Sequence, residues 1–139
     1  MDTPKQNEYL LLFRGNAWYN SLSPEELQKA MGDFKAWFDR LTEQGILKAA
    51  QPLVREGKIV SGKQGRVVAD GPFAESKEAI GGYFLLAANS LDEAIAVAKS
   101  SPSLEYGTQI EVRPVAEECP MAARARQIMP EEQLANAAA

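Results

Sequence analysis

Apolar positions recur along this chain with two different periods, and the places where one period gives way to the other outline the fold. Tyr9-Leu10-Leu11-Leu12-Phe13 is a short apolar run between polar flanks, a length that suits a strand with both faces covered better than a helix. Further on, Ser23 stands as an N-cap, Pro24 takes the first helical position, and Glu26 completes a capping box, with Leu22 placed to staple onto Leu27. Leu27, Ala30, Met31, Phe34, Trp37, Phe38 and Leu41 then follow with the spacing of one helical face, predicting a helix over residues 24–44 that Gly45 stops in a left-handed conformation. Gly32 lies inside that helix at a cost of about 1 kcal/mol relative to alanine. A close helix-to-sheet contact is the expected reason.

The remaining pattern is mostly strand. Residues 46–56 hold Ile46-Leu47 and Leu53-Val54 around Pro52, an irregular stretch or at best a short edge strand. Lys58-Ile59-Val60 and Arg66-Val67-Val68-Ala69 flank a glycine-bearing loop and read as a hairpin. Residues 82–87 form the next strand, and Ser90 with Glu93 opens a second helix through about residue 99 by another capping box. Ser101-Pro102-Ser103 breaks it. Residues 108–113 alternate polar and apolar, the mark of a half-buried strand.

Strand, helix, several strands, helix, strand is the ferredoxin-like α+β plan, in which two helices cover one face of an antiparallel sheet. Tyr9, Leu11 and Phe13 point to one side of the first strand and Leu10 and Leu12 to the other. The face without helices therefore also carries apolar side chains and calls for a partner, which a homodimer supplies. Residues 1–115 read as one domain. Residues 116–139 read as a tail with high helix propensity and a thin apolar stripe, either laid over the dimer partner or frayed.

Composition then removes several classes of function. With 139 residues, 45 % of them apolar and 24 % charged, the chain has a globular profile. A net charge of −4 without a Lys/Arg cluster argues against nucleic acid as a partner. Neither a signal-like start nor an apolar run of membrane-spanning length is present, so no membrane partner is expected and the expected location is cytoplasmic. Cys119 is alone, which excludes an internal disulfide. The chain contains no histidine, which excludes Ser-His-Asp and Cys-His catalysis and the usual His-containing zinc sites. Proton transfer near neutral pH must then fall to a carboxylate, a lysine, a tyrosine or water, and neither a cofactor nor a metal is expected.

Functional groups crowd most densely into Asp70-Gly71-Pro72-Phe73-Ala74-Glu75-Ser76-Lys77-Glu78, which runs on to Gly81-Gly82-Tyr83. The first four residues make a turn by local physics alone, Asp capping its own backbone two residues on, Gly taking positive φ and Pro fixing φ. A carboxylate at a strand end beside a concave sheet is equally a position for a general base. Asp70, Lys77 and Glu78 are the catalytic candidates on that second reading, although Glu75, Lys77 and Glu78 taken singly also suit a solvated turn. Trp18 and Tyr106 fall in predicted loops, where an aromatic either lines a pocket or packs beneath the loop, and they join Glu75 and Tyr83 as ligand-binding candidates. Arg14 and Arg113 end two strands expected to be neighbours; they either grip a carboxylate ligand or pair with Glu111 and other acids.

The run from Asp70 to Tyr83 resembles the DGPF signature of the YCII-related proteins. The resemblance extends over about residues 8–115. It takes in Gly15-Asn16-Ala17-Trp18, the helix start at Asn89-Ser90-Leu91-Asp92-Glu93-Ala94, and Tyr106-Gly107 with Glu111-Val112-Arg113-Pro114-Val115. It implies a dimeric α+β barrel, in which ferredoxin-like domains pair sheet against sheet, in a family whose biochemical role is mostly unassigned. It also implies an acidic site at Asp70, with Glu75, Lys77 and Glu78 at the matching signature positions. The shorter YCII branch sets a histidine beside this aspartate, and no histidine exists here to fill that role. The expected function is binding of a small polar or anionic organic molecule, with acid–base chemistry of the isomerase, lyase or dehalogenase kind at Asp70. A related lactone dehalogenase is the precedent. The alternatives are a sensing or adaptor protein acting with extracytoplasmic-function sigma factors and a purely structural subunit.

Overall fold

A computed structural model of the chain describes residues 7–15, 18–72 and 79–132. Strand β1 spans Asn7–Arg14, helix α1 Pro24–Glu43, and β2 Leu47–Pro52. The hairpin strands β3 (Lys58–Ser61) and β4 (Val67–Asp70) follow, then β5 (Ile80–Ala88), α2 (Leu91–Lys99), β6 (Gln109–Pro114) and α3 (Pro120–Ile128). Four of the strands make one antiparallel sheet in the order β2-β5-β1-β6. With the hairpin set aside, this is the expected ferredoxin-like order. β3 and β4 pair only with each other.

The register of β1 explains the two faces of the sheet. Tyr9 lies opposite Leu86 and Leu11 opposite Phe84, whereas Leu10 lies opposite Leu85 and Leu12 opposite Tyr83. The first set faces the helices. Leu11, Leu86 and Trp37 are the largest fully buried side chains, and Tyr9, Leu41, Phe84, Ala88, Ala94 and Ala98 complete the cluster around them. Burying side chains of this size contributes about 1.5–3 kcal/mol each, so the α1–sheet contact dominates the core. The Trp37 indole is satisfied as well, its Nε1 donating to Ser100 Oγ at 2.8 Å. Leu10, Leu12 and Leu85 on the opposite face are only half-buried.

Helix α1 begins as the sequence predicts. Glu26 N donates to Ser23 Oγ at 3.1 Å, and Ser23 N donates back to Glu26 Oε1 at 3.0 Å. This hydrogen bonding, from the Ser23 backbone above all, lowers the Glu26 pKa. The second box is only half of one. Glu93 N donates to Ser90 Oγ at 3.2 Å, but the Glu93 carboxylate accepts from Asn89 N at 2.7 Å instead of from Ser90.

Two other expectations are corrected. Gly32 does not mark a close contact: it is exposed, and a Cβ there would meet nothing within 4 Å. Met31, placed by the 3–4 spacing in the core stripe, is 64 % exposed, because α1 lies over the sheet along the Ala30–Trp37–Leu41 line and leaves Met31 beyond it. The irregular stretch after the helix does form an edge strand, β2, with a register shift between Leu47 and Ala49. The close approach of sheet strands occurs at Gly82 in β5, where a Cβ would lie 2.9 Å from Gln51 O on β2.

The tail carries a helix, α3, in which no residue is buried, and Met121 and Ile128 on it are exposed. Among the described residues, no helix is long and apolar enough to cross a membrane.

Candidate functional site

A hollow lies between the N-terminal half of α1 and the end of the sheet where β1 stops and β5 starts. It has a volume of about 670 Å³, within the range of roughly 300–1,000 Å³ typical of small-molecule sites. Phe13 on β1 and Phe84 on β5 form its floor, Leu27, Ala30, Phe34 and Phe38 on α1 its roof, and Ala50, Gln51 and Pro52 on β2 one side. The aromatic rings hold one another in place. Phe13 meets Phe84 edge-on at 4.9 Å between centroids, Phe34 meets Phe84 at 5.9 Å, and Phe38 meets Phe84 at 5.8 Å. Tyr19, Met31 and Leu53 line the cavity yet stay exposed, and so mark where it opens.

Local sequence accounts for each wall. Period-two alternation turns Phe13 and Phe84 to the helix side of the sheet, and 3–4 spacing turns Leu27, Ala30, Phe34 and Phe38 down from α1. Gly81 and Gly82 keep the start of β5 free of large side chains where it borders the hollow. The polar residues of the lining are Lys35, Gln51, Arg55, Ser103 and Thr108, besides the aromatic Trp18, Tyr19 and Tyr83 with their N–H and hydroxyl groups. Lys35 Nζ also donates to Asp39 Oδ2 at 2.6 Å, and this hydrogen bond raises the amine's pKa. Among the described residues no carboxylate lines the cavity. No group of His, Cys, Asp or Glu side chains among them is placed to hold a metal ion.

The candidates chosen from sequence scatter to three places. Trp18 and Tyr83 line the cavity, and Tyr106 stacks on Trp18 at 5.0 Å and 15° without reaching the lining itself. Arg14 and Arg113 lie across β1 and β6 on the sheet face away from the helices, where Glu111 joins them. Arg14 Nε donates to Glu111 Oε1 at 2.9 Å, and Arg113 Nε lies 3.7 Å from Glu111 Oε2. Pairing with Glu111 was one of the two roles open to these arginines.

Asp70 ends β4, with its side chain 72 % exposed and ion-paired to Lys58 directly across the hairpin. It does not line the cavity. The turn after it has Gly71 at φ +145° and a cis Gly71–Pro72 peptide. Among the described residues, the Asp70 carboxylate does not cap its own backbone two residues on, since that residue is Pro72, which has no N–H to donate. Glu75, Lys77 and Glu78 lie outside the described residues.

A match to the model of the YCII-related domain runs over residues 8–123. The chain belongs to the YCII-related family. A relative from Rhizobium meliloti, itself described as an uncharacterized protein, is 32 % identical over 111 residues, covering 77 % of this chain and 90 % of the relative. Membership agrees with the ferredoxin-like sheet and assigns no reaction.

Sequence reasoning missed the polar residues of the cavity. Arg55 sits in an irregular stretch with no periodic signal, and Ser103 served only as part of a helix break. Met31, Phe34 and Phe38 were read as core, because a helical stripe carries the same signal whether it packs on a sheet or roofs a hollow. One signal was available: the stripe is seven residues long, longer than two strands need, and its aromatics are concentrated in the middle.

Proposed function

We propose that this YCII-related domain binds a small, largely apolar organic molecule in the cavity between α1 and the sheet. The observation that carries the reading is the hollow itself: aromatic walls around about 670 Å³, with a few polar groups in the lining. Thermal-shift and tryptophan-fluorescence titration with alkylphenols and aryl carboxylates tests it, Trp18 being in the lining. A ligand at a hundred times its Kd stabilises a domain by about 2.7 kcal/mol. Ala50→Phe, which fills the cavity from the edge strand, is expected to remove that stabilisation. Equal stabilisation of the wild type and of Ala50→Phe by every probe would sink the reading.

The binding unit in this reading is a homodimer, the dimeric α+β barrel expected from the sequence. Two observations support it. Leu10, Leu12 and Leu85, on the sheet face away from the helices, are only half-buried among the described residues, and Ile59, Val60, Val67 and Val68 of the hairpin are all exposed. A two-stranded sheet is at best marginally stable by itself, so an apolar surface against it is needed. Sedimentation equilibrium checks this, and a monomer at micromolar concentration would reject it.

Acid–base chemistry at Asp70 is a separate proposal. It draws on the signature and on the strand-end position, and it requires a second copy or the segment after Pro72 to bring substrate to the hairpin. Asp70→Asn separates the two ideas, because cavity binding survives that substitution whereas turnover at Asp70 does not.

A further inference from the structure

We infer that the cavity takes a bipolar ligand: an elongated apolar body with a carboxylate at one end and a hydroxyl or carbonyl oxygen at the other. The inference rests on the cavity being a binding site and adds the class of molecule. Its basis is that Arg55 stands at one end of the lining and the Ser103–Thr108 pair at the other. Arg55 follows the end of β2, one edge strand of the sheet, whereas Thr108, hydrogen-bonded to Ser103, directly precedes β6, the other edge strand. Three strand spacings separate those edges, about 14 Å, and between them the floor is Phe13 and Phe84.

The β6 end is a buried hydroxyl cluster. Ser103 is 4 % exposed and Ser101 5 %. Thr108 Oγ1 donates to Ser103 Oγ at 2.9 Å, and the Ser101 and Ser103 hydroxyls share a second hydrogen bond of 2.9 Å. Three hydroxyl hydrogens thus serve two bonds, and one is left over. If Ser101 donates to Ser103, the spare hydrogen belongs to Ser103, the member of that pair that lines the cavity. A buried donor without a partner is costly, and an oxygen of the ligand satisfies it. If the Ser101–Ser103 bond runs the other way, Ser103 keeps an acceptor lone pair instead, which suits a ligand hydroxyl. A phenol or alcohol fits both arrangements and a carbonyl the first.

The β2 end is cationic. Arg55 makes no hydrogen bond or ion pair with another described residue, and its guanidinium has the planar fork that matches a carboxylate. Lys35 shares a face of α1 with Met31 and Phe38 and stands on the same lining, although Asp39 already takes part of its charge. No carboxylate of the described lining opposes an anionic ligand there.

Three probes decide the matter: para-hydroxyphenylbutanoate, phenylbutanoate, which lacks the hydroxyl, and para-butylphenol, which lacks the carboxylate. The hydroxy acid is expected to bind the full chain about tenfold more tightly than either truncated probe, since a hydrogen bond to a charged or buried partner is worth roughly that factor. Ser103→Ala should lower the affinity of the hydroxy acid about tenfold and leave phenylbutanoate unchanged. Arg55→Met should weaken both acids and leave butylphenol unchanged. Thr108→Val, at a less buried position, repeats the hydroxyl test if Ser103→Ala does not fold. Should all three probes bind equally in every variant, the bipolar assignment fails while the cavity stands. Failure of all three to bind, with no change on Ala50→Phe, removes both.

Discussion

The aromatic end of the main sheet and the β3–β4 hairpin both present apolar side chains, and they use them in opposite ways. At the sheet end, Phe13, Phe34, Phe38 and Phe84 converge from three elements and enclose a hollow. On the hairpin, Ile59, Val60, Val67 and Val68 enclose no hollow among the described residues: every strand residue is exposed, and the two strands contact chiefly each other. The densest cluster of functional groups in the sequence begins on the hairpin, whereas concavity belongs to the sheet end, with its sparse polar groups. A site needs both chemistry and enclosure, and the sequence advertises only the first.

The comparison breaks most sharply at Trp37. Fully buried and stacked on Phe84 at 5.2 Å, it should cost about 3–5 kcal/mol of stability on replacement by alanine, read by urea denaturation. A loss below about 1 kcal/mol would mean that the α1–sheet contact is not the core. Gly82→Ala comes next. Its Cβ would sit 2.9 Å from Gln51 O, so the edge strand must move, at a cost of about 1–3 kcal/mol and with weaker binding of any cavity ligand. Thermal melts and probe titration of the same sample check both halves.

The hairpin half is sharpened by Val60→Thr with Val68→Thr. The two residues are opposite each other and exposed, so within one chain the pair should change stability by no more than about 0.5 kcal/mol per site. In a dimer that covers the hairpin, the same pair raises the dissociation constant, which sedimentation measures. Asp70→Asn removes a solvent-exposed ion pair with Lys58 and should cost about 0.2–1 kcal/mol, with no change in cavity binding.

The smallest effect is expected at Glu26. Its folded pKa is depressed by the capping box, so its contribution to stability is present above the ordinary glutamate value and is lost as pH falls through the lower, folded one. Glu26→Gln should flatten that part of the acid limb of a melting-temperature profile. An unchanged acid limb would show that the box contributes nothing measurable.

Much of the fold was legible because it is written in local terms. Ser23, Pro24 and Glu26 announce α1 within four residues, and the alternation in β1 assigns its faces before any partner strand is known. Gly32 misled because a glycine in a helix has more than one cause, and only packing distinguishes them. Met31 misled because the 3–4 rule fixes a face of a helix and not how far the sheet beneath it extends. Of the site, Trp18 and Tyr83 were found as loop or signature residues. Arg55, Ser103 and Thr108 were not, since single polar residues in irregular segments carry no periodic mark.

The sequence by itself determined the family, the order of strands and helices, and the exclusion of histidine chemistry, because each depends on residue types and short spacings. Only the tertiary structure decided where enclosure lies. Phe13, Phe34, Ala50, Gly82 and Thr108 are far apart along the chain and meet only after the sheet has ordered itself as β2-β5-β1-β6. The same folding carried Asp70 out onto an exposed hairpin. A cavity is a property of surfaces that face each other, and no local pattern records what a surface will face.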